Sequence, residues 1–204
     1  MSLHWFTPTT LGVLLLAGAG AAQAAAPGEY AWQARIGVST IVPTSDSGRI
    51  APGEVDIDND TGPTFNLAYF FTPNIAIDVL GGLPFEHDIR LAGSKIGKTK
   101  QLPPIVSLQY HFAPEARLRP FVGVGLNYTY FYDEQLDNGA DLELSDSWGA
   151  AFQAGLDYAL DDTWSLGADV RYAKIDTDVK VNGVKVGSVD VDPTVYSVNL
   201  GYRF

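Results

Sequence analysis

The last nine residues of the chain alternate strictly between apolar and polar side chains. Tyr196, Val198, Leu200, Tyr202 and Phe204 are apolar or aromatic, and the residues between them are small or polar. A period of two places successive side chains on opposite faces of a β-strand. This segment is therefore predicted to be a strand with one apolar and one polar face.

Seven further segments repeat the same alternation. They cover residues 32–42, 64–71, 75–83, 102–112, 120–132, 148–160 and 164–172. On each segment the bulky side chains share one face, and the other face carries mainly small or polar residues. An eight-stranded barrel has little room inside, so the bulky residues are predicted to face lipid rather than a soluble core. The sequence therefore predicts an all-β fold, an eight-stranded antiparallel transmembrane β-barrel.

The connections between these segments alternate in length. Residues 72–74, 113–118 and 161–162 form short turns, and residues 43–63, 84–101, 133–147 and 173–193 form long loops. Short periplasmic turns and long external loops are typical of outer-membrane barrels. With a periplasmic N-terminus, the outward aromatic residues fall into two bands at the two interfaces, as such barrels require.

Residues 1–24 are predicted to be a secretory signal, which leaves residues 25–204 as one barrel domain. The apolar stretch 11–22 is shorter than the roughly 20 residues that span a bilayer. It is followed by Ala22-Gln23-Ala24, which matches the usual cleavage pattern. The segment before it contains no Lys or Arg, which is atypical of a signal, and an N-terminal anchor helix is the alternative.

Composition argues against several classes of function. The formal net charge of −11 argues against a nucleic-acid partner, which needs clustered Lys and Arg. The chain has no Cys, and His87 and His111 lack metal-ligand spacing, so we expect no metal or other cofactor. An enzyme is not expected either. The enzymatic alternative is a lipid-modifying barrel, in which His87 between Glu86 and Asp88 would need a serine partner.

Several short segments spread over the chain carry a family resemblance. They are residues 69–77, 102–104, 107–112, 119–120, 123–128, 169–172 and 201–204. Together they resemble the OmpW family of small outer-membrane barrels, with its OprG and AlkL types. The resemblance implies a passive channel for small, mainly hydrophobic molecules, with sideways release into the membrane. It also implies a bacterial outer-membrane location, in contact with lipid, lipopolysaccharide and the assembly machinery.

The residues predicted to face the lumen differ between its two halves. The periplasmic half is predicted to hold a charged plug made of Arg35, Asp78, Asp157, Asp169, Arg171 and Arg203. The external half carries no charge and is lined by Ile41, Leu80, Ile105 and Phe131. Unpaired buried charges cost several kcal/mol, so the plug residues are expected to pair. Two interpretations stay open, an apolar funnel sealed below or the satisfied polar core of a closed barrel, and the resemblance favours the funnel.

A sideways exit needs a gap in the hydrogen-bonded wall. Proline cannot donate to a ladder, and Pro84, Pro103 and Pro104 flank one loop, so the gap is predicted there. The alternative is that these prolines only end strands. Phe204, the outward aromatic residue of the closing strand, is predicted to act as the assembly signal. The competing function is a structural or adhesive barrel that acts through its external loops and transports nothing.

Overall fold

The computed structural model describes residues 32–44, 49–50, 53–83, 85–91, 93–102 and 104–204. The predicted signal segment 1–24, Pro84 and Pro103 lie outside these residues. Within the described ranges every regular element is a β-strand, and no helix is long and apolar enough to cross a membrane. In chain order the strands are β1 (Trp32–Val42), β2 (Arg49–Ile50), β3 (Gly53–Ile57), β4 (Asp60–Phe70), β5 (Ile75–Gly82), β6 (Phe85–Leu91), β7 (Ser94–Leu102), β8 (Ile105–His111), β9 (Leu118–Leu136), β10 (Leu142–Leu144), β11 (Ser147–Ala159), β12 (Trp164–Ala173), β13 (Asp176–Val181), β14 (Val184–Asp190) and β15 (Thr194–Arg203).

Eight strands close into an antiparallel barrel in the order β1, β4, β5, β8, β9, β11, β12 and β15. The last strand returns to the first, with Ile36 of β1 opposite Leu200 of β15. On its other side Ile36 lies opposite Phe65 of β4, so both edges of β1 are paired. The predicted fold class is confirmed. A closed barrel leaves no strand edge to lipid, where an unpaired backbone group would be costly.

The alternation of side chains fixes the two faces of the wall. Along β12 exposed and buried residues alternate without exception. Large apolar residues cover the outside, and Ile36 remains 67% exposed on the isolated chain. Such a continuous apolar surface suits lipid rather than water.

Aromatic pairs mark both rims of this apolar surface. At the end with short connections, which we call the short-turn end, Trp32 packs on Tyr69 with ring centroids 4.9 Å apart. At the opposite, long-loop end, Tyr128 packs on Trp148 at 4.7 Å. The predicted aromatic bands are therefore present at the two rims.

The prediction that the long connections are loops is wrong, because all four of them contain strands. β6 and β7 form a hairpin, and its strand β7 pairs with the part of β9 that extends beyond the barrel. β13 and β14 form a second hairpin, and its strand β13 pairs with β10. The turn between β13 and β14 is Asn182-Gly183, and both residues have positive φ, 52° and 76°. An Asn-Gly pair is the usual sequence of a tight hairpin turn, since Asn and Gly tolerate this conformation.

Candidate functional site

The short-turn half of the lumen is crossed by a network of buried ion pairs. Arg35 of β1 donates from Nη2 to Asp157 Oδ2 at 2.8 Å, and its Nη1 lies 3.5 Å from Asp78 Oδ1. Arg171 of β12 lies with Nη2 3.4 Å from Asp78 Oδ2 and with Nε 3.0 Å from Asp169 Oδ1. Asp78 thus links the two arginines, and the network joins four strands, β1, β5, β11 and β12. We call Arg35, Asp78, Asp157, Asp169 and Arg171 the floor network.

Neutral amides supply further hydrogen bonds to these charges. Asn66 donates to Asp78 Oδ2 at 2.9 Å, and Asn199 donates to Asp169 Oδ2 at 3.2 Å. Gln33 accepts from Arg35 Nη2 at 3.1 Å through its side-chain oxygen. Hydrogen bonds of this kind reduce the large cost of removing charges from water.

Arg203, the sixth residue of the predicted plug, lies beside an aromatic layer. Its guanidinium carbon is 4.6 Å from the centre of the Phe70 ring. Phe70 packs on His111, His111 stacks on Phe121 at 5.0 Å, and Arg35 lies 5.3 Å from the centre of the Phe121 ring. Cations favour positions over aromatic faces, so this layer connects Arg203 to the floor network.

Sequence reasoning missed Phe70 and Phe121, although the alternation of β4 and β9 could have placed them inside. His111 is buried in the same layer, and its Nε2 lies 2.9 Å from Gln109 Oε1. Among the residues that the structure describes, no group of three or more His, Asp or Glu side chains is arranged to hold a metal ion.

The four residues predicted to line the other half of the lumen are all buried. Leu80, Ile105 and Phe131 belong to one apolar cluster, whereas Ile41 packs against Val195. A cavity of about 20 Å³ touches Ile41, Leu80 and Ile105. That space is enough for roughly one water molecule.

Above the barrel, the hairpins of the long-loop end enclose an apolar cavity of about 490 Å³, which we call the vestibule. Its wall is made of Ile57, Ile89, Leu91, Lys95, Ile96, Thr99, Phe131, Leu136, Asp137, Asn138, Leu142, Leu144, Thr177, Val179, Val181, Val186, Val189 and Val191. Only Lys95 and Asp137 among these carry a charge. The volume falls within the usual range for small-molecule sites.

The predicted gap region coincides with an interruption in the hydrogen-bonded wall. Within the described residues, the β5–β8 ladder ends at the Leu80–Ile105 pair, whereas the β4–β5 ladder continues to Gly82. Pro104, the residue before Ile105 in the chain, lies at the end of this ladder, and its carbonyl accepts from Tyr128 N at 3.1 Å. Beyond Pro104, β9 pairs with β7 from Tyr130 onward. On its other side β7 pairs with β6, the strand that follows β5 in the chain, from the Phe85–Gln101 pair onward. Within the described residues, the pairing between these two parts of the wall is therefore interrupted between the Leu80–Ile105 and Phe85–Gln101 pairs. We call this place the seam.

Pro104 is the one residue of the predicted proline gap that the structure describes, because Pro84 and Pro103 fall outside the described ranges. The predicted single strand 102–112 is instead two strands, β7 and β8. The physical reason is that proline lacks the N–H that a continuous ladder would need.

Phe204 lies at the opposite end of the wall. Its N–H donates to the Trp32 carbonyl at 2.9 Å, and its carbonyl accepts from Trp32 N at 3.0 Å. Its ring stacks on Tyr202 with centroids 6.0 Å apart. These contacts fix Phe204 within the aromatic rim where β15 closes on β1.

Comparison with known proteins gives one consistent result. The model of the OmpW family matches residues 28–204. The outer membrane protein W of Vibrio cholerae serotype O1 is 36% identical over 214 residues, which cover 96% of this chain and 99% of that protein. The outer membrane protein AlkL of Ectopseudomonas oleovorans is 37% identical over 167 residues, which cover 77% and 72%. The crystal structure of the outer membrane protein OprG from Pseudomonas aeruginosa superposes with a TM-score of 0.77 at 30% identity, covering 87% of this chain and 98% of that chain.

Proposed function

The chain belongs to the OmpW family of outer-membrane barrel proteins, and from this premise we propose that it is a passive channel for small, mainly hydrophobic molecules. In this proposal the long-loop end faces the exterior and the vestibule receives the cargo. No step requires a cofactor, because the cargo moves down its own concentration gradient.

One observation carries the proposal, a continuous apolar cluster that runs from the vestibule to the seam. Phe131, Val179 and Val191 belong both to the vestibule wall and to this cluster. The cluster continues through Ile175 and Ala173 and reaches Leu80 and Ile105, the last pair of the β5–β8 ladder. A hydrophobic molecule along this line would replace one apolar contact with another and would keep away from water.

The floor network supports the choice of exit. An apolar molecule that continued down the lumen would have to separate buried ion pairs, and breaking such a pair costs about 3–5 kcal/mol. The seam offers a path without charges. We therefore propose that the cargo leaves sideways at the seam and enters the lipid, and that the floor stays closed.

The channel is tested with purified protein in vesicles that carry lipopolysaccharide in the outer leaflet. N-phenylnaphthylamine, an apolar dye that fluoresces in lipid, is added outside. The protein is expected to accelerate the rise in fluorescence over protein-free vesicles. Equal rates in the two preparations would contradict the channel and favour the structural or adhesive alternative.

The sideways route is tested by closing the seam in the same vesicles. Cysteines at Leu83 and Leu102 are introduced, and bridge formation, which requires Cα atoms within about 7 Å, is verified by mass spectrometry. The bridged protein is expected to lose dye uptake, and a reductant is expected to restore it. Undiminished uptake with the bridge formed would favour passage straight through the barrel.

A further inference from the structure

The lipid-facing side of the seam is covered by one aromatic ring. Gly81 of β5 lies opposite Phe65 of β4. A Cβ atom added at Gly81 would lie 2.6 Å from Phe65 Cζ and 2.8 Å from its Cε2. The ring therefore occupies the place that a side chain at position 81 would fill. Phe65 is still 52% exposed, so its other side faces the lipid.

On its inner side, the barrel wall at the same stretch is thin. Gly81 and Gly82 both line the small cavity that touches Leu80 and Ile105. Neither glycine has a side chain, so only backbone separates this cavity from the Phe65 ring. In a strand without glycine, side chains alternate between the two faces and add thickness to both sides of the wall.

Gly81 and Gly82 lie at the interruption of one ladder. Gly81 and Gly82 pair with Phe65 and Thr64 on β4. Within the described residues the ladder with β8 has already ended at Leu80. A strand segment beside an interrupted ladder can separate from its neighbour at lower cost than one with continuous ladders on both edges.

From these observations we infer that Phe65 is the outer cover of the seam and controls the release of cargo into the lipid. The inference rests on the proposed function and deepens it by naming a residue that regulates the exit. With the ring over Gly81 the wall is closed. When the ring rotates about its side-chain bonds, the thin backbone between the cavity and the lipid is uncovered. The cover is apolar, so it admits hydrophobic cargo while it excludes water.

The chain contains no cysteine, so Phe65→Cys provides a single attachment point. A bulky methanethiosulfonate label is attached to the unfolded protein, which is then refolded and placed in the vesicles described above. Phe152→Cys is the matched control, because Phe152 lies on the barrel strand β11 and is 54% exposed. Both proteins carry the same label on the same kind of surface, and only one carries it at the seam.

Label at position 65 is expected to slow dye uptake by roughly fivefold or more, as obstruction of a gate should. Removal of the label with a reductant is expected to restore or exceed the wild-type rate, since the small cysteine no longer covers Gly81. This recovery also shows that the labelled protein was folded. Label at position 152 is expected to leave uptake unchanged.

Equal uptake by the two labelled proteins would overturn the role of Phe65, provided that wild-type protein transports the dye. Slowing by label at both positions would also overturn it, because the effect would not depend on the seam. Failure of the wild-type protein to exceed protein-free vesicles is a different result, which refutes the channel itself. The unlabelled pair Phe65→Ala and Phe152→Ala gives the second measurement, with faster uptake expected only from Phe65→Ala.

Discussion

The two ends of the lumen use the same alternating strands to build opposite interiors. At the short-turn end the inward positions carry the floor network, in which two arginines and three aspartates are cross-linked between four strands. At the long-loop end the inward positions carry Leu80, Ile105 and Phe131 and lead to a cavity of about 490 Å³. The strand geometry therefore sets which residues face inward, and the chemistry of those residues makes one end charged and the other apolar.

The two interiors also respond differently to rearrangement. Buried ion pairs lose much of their mutual attraction when they separate, so the floor network resists opening. Apolar contacts are individually weak and not directional, so the vestibule and the seam can change shape at a smaller cost. This difference supports the proposed route, in which the cargo enters from the loops and does not reach the floor.

The largest effect is expected from removal of the Arg35 guanidinium, which links two carboxylates of the floor network. Arg35→Met keeps an unbranched apolar stem but removes the guanidinium that Asp78 and Asp157 share. The free energy of unfolding in lipid vesicles is expected to fall by about 3–5 kcal/mol, as for other broken buried pairs. Arg117→Met is the control, because Arg117 is exposed in a turn at the same end. Equal urea midpoints for the two variants would show that the floor network does not stabilise the barrel.

The adaptable end is tested by one charge in the vestibule wall. Val179→Asp places a carboxylate among apolar residues, which disfavours both the carboxylate and an apolar cargo beside it. Dye uptake is expected to fall by roughly tenfold or more, which corresponds to the lower range of costs for burying an unpaired polar group. Folding at the short-turn end is expected to stay intact, as judged by heat-modifiable migration on gels.

Val184→Asp is the matched control for this variant. Val184 lies in the same β13–β14 hairpin and is 65% exposed, outside the vestibule wall. Its replacement adds the same charge to the same hairpin, and uptake should remain near the wild-type rate. Equal losses in the two variants would indicate that the added charge acts on the loops generally and not on a cargo path.

The difference between the two ends could be predicted from the sequence, because a period of two assigns each residue to one face. Together with the order of turns and loops, this rule places five residues inside the periplasmic half of the lumen: Arg35, Asp78, Asp157, Asp169 and Arg171. Which carboxylate meets which guanidinium depends on the stagger of eight strands. Alternation alone does not contain that information, so the linking position of Asp78 could not be predicted.

The vestibule was missed for a different reason. Thr177, Val179 and Val181 alternate like a barrel strand, but the segment follows β12 after a very short break and was assigned to a long loop. The Asn182-Gly183 turn signal was present in the sequence. Phe65 was predicted to face lipid, yet its position over Gly81 follows from the β4–β5 register, which the sequence does not state.

A smaller effect is expected from the rim of the short-turn end. Phe204→Ser removes an aromatic ring where β15 closes on β1, and the amount of folded protein in the outer membrane is expected to fall. Uptake per folded molecule should not change, since the ring is far from the vestibule and the seam. Phe112→Ser is the control, because Phe112 is an exposed aromatic residue of the same rim. Equal amounts of folded protein in both variants would contradict a special role in assembly.

The smallest effect concerns ion pairs of the long-loop end, which resemble those of the floor but are exposed. Lys185 Nζ lies 2.7 Å from Asp178 Oδ1, between the two strands of the β13–β14 hairpin. The hydrogen bond from Lys185, followed by one from Ser188, lowers the pKa of Asp178 below its ordinary 3.8. Lys174 donates hydrogen bonds to Asp176 and Asp192, which raise the pKa of Lys174 above its ordinary 10.5.

The signs of these shifts define the pH range in which the hairpin is reinforced. A carboxyl group with a lowered pKa stabilises the folded hairpin above pH 3.8 and loses this contribution as the pH falls through its folded value. The lysine contributes below pH 10.5 and loses its contribution as the pH rises further. An environment-sensitive dye on Val184→Cys, an exposed position beside the hairpin turn, reports the order of the hairpin, with and without Asp178→Asn. The two proteins are expected to differ near neutral pH and to converge below pH 3.8, and salt should reduce the difference because exposed charges are screened. A difference that persists in acid would show that Asp178 acts through something other than its charge.

By contrast, the effect of Arg35→Met on the free energy of unfolding should depend little on salt, since burial shields the floor network from counterions.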